Sequence, residues 1–452
     1  MSAYRLSHSR PTVPPPEPPS RVAALLYWLR LGFISFGGPA GQISLMHQEL
    51  VERRRWISER RFLHALNYTM LLPGPEAQQL ATYIGWLMHG AWGGIVAGLL
   101  FVLPSLGLLM LLAWIYLAFG QLPAVAGVLE GIKPAVVAIV LFACYRIGSR
   151  TLRHPILWGL ALAAFLALSL FGLPFPLVVL SAGLIGYLSR HRLPSGDRSK
   201  NQSIDQARFG PAVIDDDTPP PPHARFRPRR LAAYAGIGLG LWSVAMLILL
   251  ACDGWRGTYT QMGWFFSKAA WVTFGGAYAV LPYVVQNAVD GYHWLSARQM
   301  VDGLALGETT PGPLIMIVAF VGFLGGWNQA ALGPDAWVAA GVIGAAVATF
   351  FTFLPSFLFI LIGGPAVEAT RHDLKFSAPL TAITAAVAGV VANLVVFLAY
   401  HVLWPGGWGG GIAWPALCLA GIALLFLYRR VNMVYVIAAC GGIGFIRALI
   451  FS

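Results

Sequence analysis

Charge is scarce in this chain. Of its 452 residues only 11% are Asp, Glu, Lys or Arg, less than half the roughly 25% of an ordinary soluble domain. A cytosolic globular protein is therefore excluded. Cysteine is nearly absent as well. Cys144, Cys252, Cys418 and Cys440 are dispersed, with no CxxC, so they encode neither a disulfide frame nor a metal site. No G-x-x-x-x-G-K-[ST] occurs, which removes an internal ATPase of that kind. No H-E-x-x-H occurs and the ten histidines are scattered, which argues against a zinc intramembrane protease. No cofactor or metal motif is present. The first 21 residues lack the early apolar core of a secretory signal; polar and Pro-rich, they are expected to form a disordered cytoplasmic tail.

What the chain does have is apolar sequence, 57% of the total, in runs near the 20 or so residues that span a bilayer. The expectation is one all-α polytopic membrane bundle. Basic residues outnumber acidic ones by 30 to 18. Their place in loops between apolar runs fits the positive-inside bias and not a nucleic-acid partner. The longest interruption, 189–230, is rich in proline and holds nine Lys/Arg. It is expected to be a disordered, basic cytoplasmic linker.

Across that linker the sequence repeats. Phe36-Gly37-Gly38, Trp56, Ser58, Arg60 and Pro73-Gly74-Pro75 recur as Phe274-Gly275-Gly276, Trp294, Ser296, Arg298 and Pro311-Gly312-Pro313. Every pair is offset by 238 residues, and Arg30 and Lys268 share the offset. FVLPS at 101–105 is answered by TFLPS at 352–356, after an insertion near WNQAALGPDAW. The chain is a tandem duplication, with repeats at 22–188 and 260–450 and a connecting helix at 231–252.

Apolar stretches at 91–119, 124–145, 155–171, 173–188, 231–252, 335–363, 377–401, 411–427 and 431–450 are expected to be nine full crossings. The Phe-Gly-Gly and Pro-Gly-Pro regions are broken in mid-segment by proline and glycine. The loop 47–64, with Arg53, Arg54, Arg55, Arg60 and Arg61, and the loop 146–154, with Arg146, Arg150 and Arg153, both belong on the cytoplasmic side. The broken segments 22–46 and 62–88 must then enter and leave by the same face. The extra helix at 231–252 delivers the second repeat to the opposite face. The predicted fold is two inverted-topology repeats with broken, re-entrant helices. Such backbone is tolerated at membrane depth only where it is buried or lines a wet cavity.

Pro73, Gly74 and Pro75 end one half-helix and start another, whose unpaired N–H groups and positive dipole end make an anion site. Asn67, Thr69, Glu76, Gln78 and Gln79 cluster there; Glu308, Thr309 and Thr310 accompany Pro311, Gly312 and Pro313. A matched pair of breaks in two halves points to a transport site. Gly37, Gly38, Pro39, Gly275 and Gly276 admit two readings: backbone N–H groups facing a ligand, or close helix packing. Arg30 and Lys268 stand in apolar stretches, where a cation suggests function; snorkelling at a helix end is the other reading. Lys133 is a third candidate cation, with Glu130 one turn away as an ion-pair partner. Glu76 and Glu308 could take up protons, since burial raises a carboxyl pKa, or could pair with Arg30, Lys268 or Lys133. The remaining loop arginines read as orientation signals or lipid-surface contacts.

The segment from Arg30 to Gly90, with its FGGP, W-x-S and PGP at fixed spacing, closely resembles the chromate transporter family. The second FGG…WLS…PGP resembles that of its long, two-domain members. The resemblance implies a bacterial inner-membrane protein that exports chromate and confers resistance. Its partners would be the chromate anion and membrane lipids, with sulfate, protons and a homodimer left open. The substrate-binding residues would be those of the breaks, together with Arg30, Gln78, Lys133 and Lys268. Proton antiport through Glu76 or Glu308 would add to the electrical drive. The second repeat departs from the pattern, with FGGA for FGGP and ETTPGP for LLPGPE. Rival readings are a permease for sulfate or another oxyanion, a passive anion channel and a membrane-embedded enzyme.

Overall fold

The computed structural model describes residues 16–189, 209–219, 221–274, 276–333, 335–369, 377–407 and 409–451. Gly275 lies outside the described residues. Among those described, helix is the only extended regular structure; the single β-type contact is an isolated parallel bridge between Ile57 and Ile214.

The first repeat opens with α1 (Arg21–Ile34) and α2 (Gly38–His47), separated by a break at 35–37. After a π-helical turn come α3 (Glu59–Thr69) and α4 (Glu76–Phe119), separated by the Pro-Gly-Pro break. The W-x-S motif now has a physical meaning. Trp56 is buried, and Ser58 caps α3, its hydroxyl accepting from the Arg61 N–H at 3.2 Å. That cap satisfies one of the donors left over at a helix start. In the second repeat Trp294 is buried and Ser296 caps α11 (Ala297–Thr309) through a capping box with Gln299. Ahead of both caps stands a residue at positive φ, Arg55 at 50° and His293 at 52°. The duplication is reproduced down to single turns.

α4 is two rods joined by a sharp break at His89 and Gly90. In the second repeat the same junction is a loop, so α12 (Ile317–Asn328) and α13 (Trp337–Ala369) are separate helices. The remaining helices are α5 (Pro123–Thr151), α6 (Pro155–Ser169), α7 (Phe175–Leu188), α8 (Pro228–Asp253), α9 (Thr258–Val272), α10 (Ala277–Gln286), α14 (Ser377–Leu403), α15 (Trp414–Tyr428) and α16 (Met433–Phe451). Among the described residues six helices are long and apolar enough to cross a membrane: α4, α5, α8, α13, α14 and α16. The chain is a multi-pass membrane protein. Three of the nine expected crossings, α6, α7 and α15, have 14 or 15 residues. At 1.5 Å per residue each covers only about 22 Å, short of the roughly 30 Å hydrocarbon core. Prolines within one residue of their starts, Pro155, Pro174 and Pro415, set their entry points, and Gly172 turns the chain between α6 and α7.

Each Pro-Gly-Pro hairpin wraps the long helix of the other repeat. The first half of α4 packs back on its second half, with Gly85 against Gly93 and Gln78 beside Gly98. It also runs alongside α13, from Gly74 at Ser356 to Trp86 at Gly364. The second half of α4 and α13 are therefore antiparallel, meeting where Gly98 touches Phe357.

Part of the expected disordered linker is docked. Val213 and Ile214 donate their N–H groups to the carbonyls of Arg55 and Trp56, and Ser58 N–H donates back to Ile214. The Ser58 hydroxyl donates to Asp216 Oδ1 at 2.6 Å, and His223 Nε2 lies 2.8 Å from the Trp86 carbonyl. Ile214 and Ala224 are buried in the core of the first repeat. Composition pointed to disorder because the segment carries little apolar surface; backbone pairing and three buried apolar residues, Ala212, Ile214 and Ala224, anchor it instead. Beside this strap, Glu49 binds Arg54 at 2.8 Å, and that hydrogen bond holds its carboxyl below the ordinary value.

Candidate functional site

Four helix starts meet where the repeats interlock. The Gly74 N–H donates to the Thr273 carbonyl at 2.7 Å, and the Gly312 N–H donates to the Ser35 carbonyl at 2.9 Å. Ser35 and Thr273 each precede a Phe-Gly-Gly break, so each Pro-Gly-Pro is held by the Phe-Gly-Gly of the other repeat. The Tyr278 hydroxyl donates to Glu308 Oε1 at 3.0 Å and closes the chain of contacts between the two breaks of the second repeat. The starts of α2, α4, α10 and the short 3-10 turn leading into α12 thus share one junction.

The glycines at the two tips are positions where any other residue is strained. Gly74 sits at φ +122° with Ser356 Oγ 2.5 Å from where a Cβ would lie. Gly312 sits at φ +101° with Ser105 Cβ at 2.7 Å. L-residues avoid that φ; a methyl group at Gly312 would meet the fixed Ser105 Cβ, and one at Gly74 the movable ends of Ser356 and Gln79. Ser105 and Ser356 are the serines of the duplicated LPS motif, so its role is to seat the opposing tip. Pro75 and Pro313 are the N-cap residues of the helices that follow, and Pro39 occupies the first turn of α2 after Gly37 and Gly38.

Polar groups line the junction without full partners. Gln42 Nε2 donates to the carbonyls of Gly312 at 2.5 Å and Ser35 at 3.2 Å, and Gln79 Nε2 donates to the Pro73 carbonyl at 2.7 Å. Gln78 Nε2 donates to Thr82 at 3.0 Å. Yet Gln42 Oε1, Gln78 Oε1, Gln79 Oε1, Glu308 Oε2 and the hydroxyls of Ser35 and Ser105 are buried with no hydrogen-bond partner. Most buried polar atoms are paired, so a group of unpaired ones is a place for ordered water or a ligand to bind. Thr309 and Thr310 donate to carbonyls of their own helix end, Leu306 and Gly307. Glu76, at the start of α4, is half-buried and faces Gly276, its Oε1 3.7 Å from where a Cβ would stand.

Several expected residues are not brought there. Arg30 and Lys268 are exposed. Arg30 shares its stripe of α1 with exposed Val22, Leu26 and Phe33, and Lys268 stands between Trp264 and Trp271, its Nζ 5.7 Å from the Trp264 ring. Both cations project from apolar outer surfaces, the geometry of a snorkelling residue. Lys133 is buried but lies elsewhere, 2.7 Å from Glu130 and 3.0 Å from Asp302. Neither Glu76 nor Glu308 pairs with these three cations. Arg61, expected at the lipid surface with the other loop arginines, is instead buried against Glu368 at 2.8 Å. Gln42, Ser35 and Ser105 went unpredicted, although Ser35 and Gln42 are polar residues in an apolar run beside a break and Ser105 belongs to the duplicated LPS motif. Asp302 and Glu368 had no local signal at all.

A junction with four helix starts and no fixed cation is suited to a small anion. Each helix N-terminus carries about half a positive charge, so four supply about two. The comparisons with known proteins point the same way. The family model for the chromate transporter matches residues 22–187 and 260–445, once for each repeat. The chain is 28% identical over 446 residues to a chromate transport protein of Cupriavidus metallidurans, covering 95% of this chain and 98% of that one. It is 30% identical over 435 residues to a chromate transport protein of Pseudomonas aeruginosa, covering 95% and 93%. A probable chromate transport protein of Synechococcus elongatus is 28% identical, covering 82% and 83%. No solved structure matches. With both copies of the motif set matched and the relatives covered nearly end to end, the chain belongs to the chromate transporter family.

Proposed function

We propose that this protein is a secondary transporter that carries chromate outward across the bacterial inner membrane and so confers resistance. The observation that carries the reading is the convergence of four helix starts on one junction of unpaired buried polar atoms. Chromate is a tetrahedral dianion, and the summed charge of about +2 from those starts matches it. Backbone N–H groups and the Gln and Ser side chains would bind its oxygens. The names of the relatives support chromate as the substrate, and the absence of a nucleotide motif leaves the electrochemical gradient as the drive. An inside-negative potential favours exit by about 2.3 kcal/mol per charge per 100 mV, hence about 4.6 for a dianion. At about 1.4 kcal/mol per decade that is over a thousandfold.

The antiparallel course of α4 and α13 supports inverted repeats, with the junction at the midplane and access alternating between faces. Glu76 and Glu308 are the groups placed to exchange a proton with the site. A carboxylate at a positive helix start competes with the bound anion, and a protonated carboxyl does not. A proton taken up there would therefore travel with chromate, the opposite coupling to the expected antiport, and would offset part of the electrical drive.

Labelled chromate uptake into everted membrane vesicles, with and without an imposed interior-positive potential, tests this. Saturable uptake that rises with the potential is expected. Uptake indifferent to the potential would remove the electrical drive, and none at all would remove chromate. Unlabelled sulfate that cut uptake by about half at equal concentration would assign the site to tetrahedral dianions in general.

A further inference from the structure

Each hairpin ends in a charge clasp on the long helix of the other repeat. On the first, Tyr68 donates to the Phe359 carbonyl at 2.9 Å, and beyond it Arg61 Nη1 lies 2.8 Å from Glu368 Oε2 while the Tyr83 hydroxyl donates to Glu368 Oε1 at 2.6 Å. On the second, the Tyr116 ring packs on Phe320 at 5.7 Å, the Tyr116 hydroxyl donates to Asp302 Oδ2 at 2.9 Å, and Lys133 Nζ is 3.0 Å from Asp302 Oδ1. Arg61, Tyr83, Tyr116 and Lys133 belong to the first repeat, Glu368 and Asp302 to the second. Both clasps therefore join the halves, the first repeat supplying the cation and tyrosine and the second the carboxylate. The carboxylate sits on the long helix in one clasp and on the hairpin in the other.

Their positions follow from the antiparallel pair. Glu368 lies beyond the Gly98–Phe357 contact in one direction and Tyr116 beyond it in the other. At 1.5 Å per helical residue they are about 40 Å apart along the pair, close to the full thickness of a bilayer with its headgroups. The junction of helix starts lies between them. We propose that the two clasps are the gates of the transport cycle, Arg61–Glu368–Tyr83 at one face and Asp302–Lys133–Tyr116 at the other, each opening while the other stays shut. This rests on the transporter reading above.

The energetics suit a gate better than a weld. Burying an ion pair costs in desolvation about what the attraction returns, and apolar residues of the same volume often hold as well or better. Such a pair can be parted at little net cost when water reaches both charges, whereas an apolar contact resists water. The first clasp is also incompletely satisfied: Arg61 Nε and Nη2 are buried without a partner, as befits a contact that has to release.

The test replaces each clasp by apolar residues: Arg61→Met with Glu368→Leu and Tyr83→Phe, and separately Lys133→Met with Asp302→Leu and Tyr116→Phe. The expected result is a melting temperature equal to or above that of the unaltered protein, with chromate flux down roughly tenfold or more because the gate no longer opens. Flux within about twofold in both variants, with stability kept, would show static joints and overturn the proposal. A second measurement serves if either variant fails to reach the membrane. With the four native cysteines changed to serine, Arg61→Cys/Glu368→Cys and Lys133→Cys/Asp302→Cys are bridged by a reducible bifunctional thiol reagent. Flux should stop on bridging and return on reduction; flux unaffected by either bridge overturns the gates.

Accessibility separates the gates from the substrate. In the same cysteine-free background, Ser105→Cys at the junction is labelled by a membrane-impermeant maleimide from each face. The apolar clasps should lower labelling from opposite faces, roughly fivefold or more. If they do while the unaltered protein moves no chromate, the gates stand and the chromate reading falls. Labelling unchanged from both faces removes the gates whatever the flux.

Discussion

The two repeats have the same breaks but differ in how they are covered. The second repeat's Pro-Gly-Pro and the residues on either side of it, Thr310 to Val318, are buried, as is Gly276. In the first repeat, Phe36 to Gly41, Leu71, Leu72 and Glu76 are half-exposed. The polar residues have moved as well. They follow the break in the first repeat, as Glu76, Gln78 and Gln79, and precede it in the second, as Glu308, Thr309 and Thr310, with Leu314 to Ile317 after it. The second repeat thus forms the packed wall of the junction and the first its approach. Duplication supplied two equal frames, and divergence divided the work between them.

The tip glycines give the strongest way to break that comparison. A methyl group on Gly312 meets Ser105 Cβ, which no rotamer can move, whereas on Gly74 it meets the ends of the Ser356 and Gln79 side chains. Overpacking costs about 1–3 kcal/mol, and the positive φ adds about 1–2 more. Gly312→Ala is expected to abolish transport and Gly74→Ala to reduce it about tenfold, read as vesicle uptake normalised to membrane protein. Equal effects would mean that the two tips are interchangeable.

The clasps offer the next test. Arg61 and Glu368 are 5% and 2% exposed at their side chains, and removing one partner of such a pair costs about 3–5 kcal/mol. Lys133 has Glu130 as a second partner, which is 54% exposed and already bound by Arg298 at 3.0 Å. Arg61→Ala should therefore lower the melting temperature of the detergent-purified protein more than Lys133→Ala. The reverse order would place the greater strain in the second clasp.

The two glutamates sharpen the comparison through pH. Ionised, each competes with an anion for the helix starts, so flux should fall as pH rises through the carboxyl's titration. Glu308→Gln mimics the protonated form at the fully buried position and should hold flux at its acid-side level at every pH. Glu76→Gln, at the half-exposed position, should leave most of the pH dependence. A flat profile in Glu76→Gln alone would assign the proton to the first repeat. The smallest effect belongs to Arg30→Ala and Lys268→Ala. Exposed substitutions usually stay within about 0.5 kcal/mol, so uptake should remain within about twofold; its loss would return these cations to the site.

What could be read from the sequence followed local rules. Proline and glycine located the breaks and the constant offset revealed the duplication, whereas the buried tryptophan and helix cap of W-x-S became visible only in the structure. Orientation about a helix axis could not be read. With α1 apolar on both faces, nothing in the sequence told whether Arg30 pointed inward or outward. Long-range pairing was equally silent, since Arg61 and Glu368, 307 positions apart, carry no shared pattern. The strap escaped because it is held by backbone groups, which every sequence possesses.

That strap ties the chemistry of the first gate to the covalent joint between the halves. Trp86 packs on Gly364 of α13 by its ring and on His223 by its carbonyl, so any swing of the hairpin arm that carries Trp86 must stretch or release the tether. The connector is thereby a built-in strain gauge: an environment-sensitive dye beside His223 would brighten or dim with each turnover, with no label inside the bilayer.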